Sequence, residues 1–363
     1  MDLFDWHRIS VNEDASIKEA LTVLDREALQ IVLVVGKGCR LLGTLTDGDV
    51  RRALLRGEGL DGHVTAAMNA APSVGLNRQS ETAWKRTMLE HSIRHLPIVD
   101  ENKCIVGLFY DKKEVQKRLN PVVLMLGGLG TRLRPLTETI PKPMLRVGGK
   151  PILETIVTHI AEQGFVNFYF CINYLGEQIR SYFGDGSQWG INIQYVEEDE
   201  RMGTAGALSL LPETPSMPFI VMNGDLLTKV DLTALIDFHI EHDNITTACV
   251  REYAQQVPYG VVEVEGTRVT QLVEKPVYRY FVNAGIYALS PEAMEKVPES
   301  AFYDMPTLID EVLSEKGNVG GFPITEYWMD IGQMPDFEQA QADYEVHFQK
   351  RAENNAANHN EQA

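Results

Sequence analysis

The stretch LMLGGLGTRLRPLT at residues 124–137, followed by PKPM at residues 141–144, decides the fold of the larger part of this chain. Residues 122–126 are all apolar and predict a buried strand. Gly127, Gly128 and Gly130 come directly after it, and glycines let backbone N–H groups approach an anion closely. The pattern predicts a strand whose carboxyl end opens into an anion-binding loop.

Two cationic side chains accompany the glycine loop. Arg132 offers a planar fork that suits phosphate oxygens, and Lys142 stands between two prolines on a stiff turn. A glycine-rich turn without a ligand is the alternative interpretation, but such a turn has no need for these cations. We therefore predict a cradle for a triphosphate.

Two commoner phosphate-binding loops do not fit this spacing. A dinucleotide-binding fingerprint needs a third glycine where Leu133 stands. A Walker A loop ending at Gly149 and Lys150 needs a glycine where Met144 stands, and Pro151 follows it.

The strand, the glycine loop, the PKPM turn and GGKPILE at residues 148–154 together resemble the signature of the sugar-1-phosphate nucleotidyltransferases, which make nucleotide sugars. The likeness spans about residues 121–344. Members of that family usually carry a small residue where this chain has Leu126, near the nucleobase, so this departure bears on base preference. The nucleotide-binding residues that the resemblance implies are Leu126, Gly127, Gly128, Gly130, Thr131, Gly203 and Thr204.

The resemblance also implies a metal site and a sugar-phosphate site. Asp225 and Asp330 each end an apolar run and match the family's metal ligands, and such hard oxygen ligands suit a Mg²⁺ cofactor. Taken alone, either aspartate would more often cap a turn or a helix. The implied catalytic residues are Arg132, Lys142 and Lys275, and the implied sugar-binding residues are Tyr259, Gly260, Glu274 and Asn283.

The reaction that this resemblance implies is nucleotidyl transfer. An oxygen of a sugar-1-phosphate attacks the α-phosphorus of a nucleoside triphosphate, and pyrophosphate leaves. The attacking oxygen is already ionised, so no general base is needed, and catalysis consists of positioning and charge stabilisation. A kinase would bind the same kind of ligand, but its motifs are missing from the sequence.

The first 118 residues contain an internal repeat that a shift of 64 residues reveals. Residues 31–35 fall on residues 95–99, and residues 41–43 fall on residues 105–107. Each copy predicts a helix, a buried strand, a turn, a second strand and another helix. In the helix that opens the second copy, the apolar residues at helical spacing are Ala83, Met88 and Leu89. This half resembles a tandem pair of CBS domains, regulatory modules that often bind adenine nucleotides.

One regulatory nucleotide site is implied by that second resemblance. Thr46 matches a hydroxyl that faces phosphate, and Asp49 matches a carboxylate that accepts hydrogen bonds from ribose. In the second copy Tyr110 and Lys113 stand at these positions, so we expect at most one site. The alternative is a module that only dimerises or braces the enzyme.

Length and composition set the wider expectations. We predict a tandem CBS module at residues 1–118 (repeats at about 1–60 and 65–118), a catalytic domain at residues 119–346 and a disordered tail at residues 347–363. The module is expected to be α+β, and the catalytic domain a Rossmann-like α/β fold with a mostly parallel sheet.

The formal charge of -18 argues against nucleic acid or an anionic membrane as a partner. We expect a cytoplasmic homo-oligomer that associates through its CBS or catalytic domains. Cys39, Cys104, Cys171 and Cys249 have no metal-ligand spacing and predict reduced thiols, mostly in the core.

The exact substrates stay open at this level. A CBS pair ahead of this catalytic domain resembles the glucosamine-1-phosphate guanylyltransferases of legionaminic acid biosynthesis, which favours GTP and an amino-sugar phosphate. Mannose-1-phosphate with GTP, or glucose-1-phosphate with dTTP or UTP, are the alternatives. A regulatory homologue that only senses nucleotide sugars is the non-enzyme alternative.

Overall fold

The computed structural model describes residues 3–27, 29–91, 93–110 and 117–349. Contacts between Cα atoms divide the chain between residues 114 and 115 into two compact units. Arg118 pairs with Phe165 of the second unit, so the division falls slightly before the predicted boundary at residue 118. Lys113 lies outside the described residues.

The first unit consists of two similar α/β repeats. The shift of 64 residues relates their main strands, including a bulge at Val34/Val35 and its counterpart at Ile98/Val99. The elements of this unit are β1 (Ser10–Asn12), α1 (Ile17–Glu27), β2 (Ile31–Val35), β3 (Leu41–Thr46), α2 (Asp47–Leu55), α3 (Val64–Ala67), β4 (Gly75–Leu76), α4 (Glu81–Glu90), β5 (His95–Val99) and β6 (Ile105–Tyr110). They form two three-stranded sheets with the orders β1-β2-β3 and β4-β5-β6.

One buried anchor of the second repeat differs from the expectation. Leu89 was predicted to pack inside, but it is 80% exposed, while Trp84 is 2% exposed. The Trp84 ring packs with Met88, Leu96 and Ile98, and its indole N–H donates to the carbonyl of Leu76. Trp84 and Met88 therefore form the buried side of α4, and Leu89 faces solvent.

The second unit is built on one large sheet. Its strands are β7 (Val122–Met125), β8 (Arg146–Val147), β9 (Lys150–Pro151), β10 (Asn167–Ile172), β11 (Asn192–Glu197), β12 (Phe219–Asn223), β13 (Leu226–Thr228), β14 (Thr246–Gln256), β15 (Val261–Glu265), β16 (Arg268–Val273), β17 (Val277–Leu289), β18 (Val319–Pro323) and β19 (Trp328–Asp330). Its α-helices are α5 (Ile152–Glu162), α6 (Gly176–Phe183), α7 (Leu232–Glu241), α8 (Met305–Ser314) and α9 (Met334–Tyr344).

The central sheet has the strand order β11-β10-β7-β12-β17-β14-β18, and only β17 runs antiparallel to its neighbours. Both faces are covered: Val122 and Leu124 pack into one core cluster, and Val123 packs into the other. The chain moves outward from β7 to β10 and β11, and then returns to place β12 on the other side of β7. This reversal puts the loops after β7 and β12 at the usual ligand edge of an α/β sheet.

The segment from residue 259 to residue 288 forms antiparallel strands. β15 and β16 pair as a hairpin, and β17 then pairs with β14. All of β16 and most of β15 are exposed to solvent.

The end of the catalytic domain extends further than expected. Residues 347–349 were assigned to a disordered tail, but Glu345–Gln349 forms a helical turn after α9. In this turn the Phe348 ring stacks on the Tyr344 ring, which covers part of its apolar surface. The remaining tail residues, 350–363, lie outside the described residues. Among the helices that the structure describes, none combines the length and apolarity that crossing a membrane requires.

Candidate active site

The glycine loop after β7 adopts a backbone that needs glycine. Gly130 has a φ of 61°, and a Cβ atom there would lie 2.9 Å from Thr137 Cγ2. The Thr137 hydroxyl donates to the Gly130 carbonyl at 2.8 Å, and this hydrogen bond fixes the loop at Gly130. Among the residues that the structure describes, apart from Gly128 and its two chain neighbours, no heavy atom lies within 4 Å of a Cβ placed on Gly128, so this part of the loop is open to a ligand.

Leu126 is buried beneath this loop. It is 1% exposed, its N–H donates to the Cys171 carbonyl at 2.8 Å, and its side chain joins the core. Gly224 makes room for it, because a Cβ there would lie 2.2 Å from a Leu126 methyl carbon. The larger side chain at this position is therefore accommodated in the core.

Two aspartates come together beside the loop. Asp225 follows β12, and Asp330 is the last residue of β19. β13 and β19 pair antiparallel with Leu226 opposite Asp330, and the Ile331 N–H donates to the Asp225 carbonyl at 3.1 Å. A short two-stranded ladder thus brings residues about a hundred positions apart to one point.

The charges around this pair are balanced only in part. Lys142 is 7% exposed, and its ammonium group donates to Asp225 Oδ2. Asp225 Oδ1 is buried without a hydrogen-bond partner among the described residues. Loss of surrounding water raises the pKa of the Asp330 carboxyl, and the Asp225 charge raises it further. The cations of Lys142 and Arg132 lower that pKa.

This arrangement fits a divalent cation. Two carboxylates side by side repel each other, and the unpartnered Asp225 oxygen is an available ligand atom. The described residues contain no group of three or more His, Cys, Asp and Glu side chains that could hold a metal. Asp225 and Asp330 could therefore hold Mg²⁺ only together with substrate oxygens and water, which is how this ion is commonly bound.

Arg132 belongs to the same group of charges. It lies in the short helix Thr131–Leu133 directly after the glycines. A Cβ on Gly332 would lie 3.3 Å from Arg132 Nη1 and 3.4 Å from Asp336 Oδ2. Asp336 accepts hydrogen bonds from the N–H groups of Gly332 and Gln333. The Arg132 guanidinium therefore lies next to Gly332, and its charge acts on Asp330.

Gly203 and Thr204 form a separate turn that α8 supports. Asp304 Oδ1 accepts from the Thr204 N–H at 2.8 Å and from its hydroxyl at 3.1 Å. The Thr204 hydroxyl in turn accepts from the Met305 N–H at 2.9 Å. Thr204 is not part of the local 3₁₀ helix, which spans Gly206–Leu210. Thr204 caps α8 instead.

The predicted sugar-phosphate residues meet at the base of the β15–β16 hairpin. The Lys275 N–H donates to the Tyr259 carbonyl at 3.2 Å, and a Cβ on Gly260 would lie 3.0 Å from Glu274 Oε2. Lys275 has a φ of 48°, a left-handed conformation that is uncommon for a lysine. Tyr259 is 74% exposed. Among the described residues, no hydrogen bond or ion pair joins this group to the aspartates.

Asn283 stands at a bulge in β17. Its side chain donates to the Tyr287 hydroxyl at 2.8 Å and accepts from the Gly285 N–H at 3.0 Å. A Cβ on Gly285 would lie 2.7 Å from the side-chain nitrogen of Asn223, which precedes the loop of Asp225. The bulge therefore places Asn283 on the strand beside the aspartate edge of the sheet.

Glu198 is a candidate that sequence reasoning missed. A Cβ on Gly127 would lie 2.9 Å from Glu198 Oε1, and Oε2 accepts from the Met202 N–H at 3.3 Å. Loss of surrounding water raises the pKa of this carboxyl. The sequence signal was an acidic residue shortly before Gly203, but it stands in the acidic run 197–200, which looks like ordinary solvated surface.

In the first CBS repeat, Thr46 and Asp49 form a helix cap. Asp49 Oδ2 accepts from the Thr46 N–H at 2.8 Å and from its hydroxyl at 2.6 Å, while the Asp49 N–H donates to Thr46 Oγ1 at 3.4 Å. Asp49 Oδ1 accepts from Arg52 at 2.7 Å. These contacts explain both residues as a capping box of α2, and a nucleotide would have to share their oxygen atoms.

We predict that the full chain binds one AMP in this repeat and that Asp49→Ala abolishes binding, because it removes the only ribose acceptor expected there. Isothermal titration calorimetry measures this. Ser80→Ala is the matched control, since Ser80 caps α4 in the second repeat and its loss removes a cap but no ligand contact. Absence of binding to the wild-type chain, or equal binding by the Asp49 variant, would leave the module as a brace.

Comparisons with known proteins agree with this architecture. The Nucleotidyl transferase family model matches residues 121–347, and the CBS domain model matches residues 5–56 and 76–113. A UTP–glucose-1-phosphate uridylyltransferase of Synechocystis sp. is 32% identical over 242 residues, which are 60% of this chain and 61% of the relative. A mannose-1-phosphate guanylyltransferase catalytic subunit beta of Danio rerio is 34% identical over 229 residues, which are 59% of this chain and 62% of the relative.

Among solved structures, HddC from Yersinia pseudotuberculosis superposes with a TM-score of 0.50 at 27% identity, covering 62% of this chain and 100% of HddC. The chain spans about three fifths of the length of the curated relatives it matches. The residues that the family model matches, 121–347, contain the glycine loop, both aspartates and the hairpin. Because the family model covers more than half of the chain, this protein belongs to the nucleotidyl transferase family and carries a pair of CBS domains at its N-terminus.

Proposed function

We propose that this protein transfers a nucleotidyl group from GTP to glucosamine-1-phosphate and releases pyrophosphate. The observation that carries the nucleotidyl-transfer proposal is the gathering of Arg132, Lys142, Asp225 and Asp330 beside the open glycine loop. Two fixed cations and two carboxylates at the switch point of an α/β sheet are what binding a triphosphate with a divalent ion requires.

Each group then has a definite task. The loop N–H groups at Gly127 and Gly128 and the Arg132 guanidinium bind the triphosphate. Lys142 and Lys275 are assigned to the phosphates of the two substrates, and Glu274 accepts hydrogen bonds from the sugar. Mg²⁺ held by Asp225 and Asp330 would neutralise phosphate charge. The sugar phosphate attacks as an anion, so the protein contributes alignment and charge rather than a base.

GTP is favoured by the position of Glu198. Guanine carries two neighbouring N–H donors on its Watson–Crick edge, and one carboxylate can accept from both. Uracil and thymine present an acceptor, a donor and an acceptor there, which suits an amide better. Glu198 Oε1 lies against Gly127, at the entrance of the nucleotide loop, and can meet a base there.

A change of Glu198 to Gln tests this preference. We expect KM for GTP to rise about tenfold, the effect of losing one hydrogen bond to a charged acceptor, while KM for UTP changes little. Glu197→Gln is the matched control, because Glu197 pairs with Arg180 at the surface. Initial rates with each nucleotide decide the question. An equal rise for GTP and UTP, or none for either, contradicts the assignment.

Glucosamine-1-phosphate is proposed from the resemblance of the domain order, a CBS pair ahead of the transferase domain. The names of the relatives favour two alternatives: mannose-1-phosphate with GTP, and glucose-1-phosphate with UTP. A nucleotide-sugar sensor without activity is disfavoured, because the chain has the full set of cationic and metal-binding residues assigned to the reaction: Arg132, Lys142, Asp225, Lys275 and Asp330. Pyrophosphate release with each of four triphosphates and a panel of sugar-1-phosphates tests the proposal. No release with any pair would favour the sensor.

A further inference from the structure

Two cysteines from different CBS repeats meet at the turns between the paired strands. Cys39 lies in the turn between β2 and β3, and Cys104 directly precedes β6. Their side chains are neighbours, since Cys39 acts directly on the pKa of Cys104, and Cys104 Sγ donates to the Gly38 carbonyl at 2.8 Å. Both residues belong to the same compact unit.

The backbone of the two turns is paired as well. Arg40 and Cys104 form an antiparallel bridge, and the Leu41 N–H donates to the Lys103 carbonyl at 3.1 Å. The 64-residue shift takes Arg40 onto Cys104, so the bridge joins equivalent positions of the two repeats. The same shift takes Cys39 onto Lys103, and both have a φ of 62°. The thiols therefore meet where the repeats contact each other symmetrically.

Their surroundings differ from those of the other two cysteines. Cys171 and Cys249 are buried in the second unit, whereas Cys39 and Cys104 are both partly exposed and open to small oxidants. The neighbouring Cys39 thiol, loss of surrounding water and the charge of Asp100 raise the pKa of Cys104 to about 11. This raised pKa keeps Cys104 protonated at neutral pH and slows its attack on an oxidant.

We propose that Cys39 and Cys104 form a reversible disulfide that ties the two CBS repeats together when a peroxide or a disulfide oxidant is present. With hydrogen peroxide, the Cys39 sulfur attacks one oxygen, the O–O bond breaks, and the sulfur becomes a sulfenic acid as water is released. The Cys104 sulfur then attacks that sulfur, and a second water leaves. Two thiols are oxidised and one peroxide is reduced to two water molecules. A thiol reductant reverses the bond.

The bond would change the mechanics of the module. The two turns lie far apart in the chain, and the disulfide would join β3 of the first repeat to β6 of the second. The repeats could then no longer separate or slide at this contact. The proposed Cys39–Cys104 disulfide is independent of the proposed transferase activity and of any nucleotide at Thr46.

Counting free thiols in the full chain tests for the Cys39–Cys104 disulfide. After hydrogen peroxide treatment and unfolding, we expect two of the 4 cysteines to react with a thiol reagent, and all of them again after reduction. Intact mass should fall by two hydrogen atoms, and peptide mapping without reduction should join the segments that contain Cys39 and Cys104. In mixtures of reduced and oxidised glutathione, the two thiols should disappear together.

Three variants sharpen the test. Cys39→Ser and Cys104→Ser should each prevent the joined peptide, whereas Cys171→Ala should leave it unchanged with one thiol fewer. Limited proteolysis should cut the first unit of the oxidised wild-type chain more slowly, and neither serine variant should show this protection. Four free thiols after peroxide treatment, or a disulfide between different chains, would overturn the proposal, whatever the transferase assay shows.

Discussion

Asp225→Asn is expected to lower kcat at least about a hundredfold, the scale of losing one major electrostatic contact at a reacting centre. The change keeps the shape of the side chain and removes its charge. The Lys142 ammonium then faces a neutral group, and the buried Oδ1 position can no longer supply an anionic ligand oxygen. Steady-state rates of pyrophosphate release measure the loss.

Chelation should have the same outcome by a different route. EDTA is expected to abolish turnover, and added Mg²⁺ should restore it, because two carboxylates alone increase the negative charge around a triphosphate. Asp237→Asn is the matched control, since Asp237 is an exposed residue of α7 that pairs with Arg118 at 3.6 Å. An Asp225→Asn variant with a native circular dichroism spectrum and near-normal kcat would contradict the assignment of Asp225 as a Mg²⁺ ligand.

The architecture could be predicted because local patterns and topology agreed. The 64-residue shift predicted both CBS repeats, and the structure repeats even the strand bulge at that spacing. The apolar run before the glycines predicted β7, which lies in the interior of the sheet between β10 and β12. Buried parallel strands and glycine turns leave strong signals in a sequence, because few other residues can replace them.

Contacts between distant segments could not be predicted in the same way. Nothing near Lys142 in the sequence indicates that its ammonium group meets Asp225, because only the folded sheet brings the two segments together. Glu198 was missed because an acidic run is usually solvated surface. Cys39 was expected in the core next to a strand, but the turn keeps it partly exposed. In each case the neighbour that decides the property belongs to another segment.

The two lysines are expected to separate the substrates. Lys142→Ala should raise KM chiefly for the nucleoside triphosphate, and Lys275→Ala chiefly for the sugar phosphate. Each rise should be about ten- to a hundredfold, the scale of one charge-assisted hydrogen bond. The structural reason is their placement: Lys142 lies beside the glycine loop, whereas Lys275 lies at the base of the hairpin with Tyr259 and Glu274.

Thermal stability, measured as Tm, should also differ between Lys142→Ala and Lys275→Ala. Lys142 is buried and paired, so its removal leaves the Asp225 carboxylate without its cation, and we expect a lower Tm. Lys275 is exposed, and its removal should leave Tm nearly unchanged. Lys296→Ala, which breaks a surface pair with Glu315, is the control for a lost lysine away from the site. Varying one substrate while the other is saturating gives the KM values. If both variants raise both Michaelis constants equally, the two lysines do not serve different phosphates.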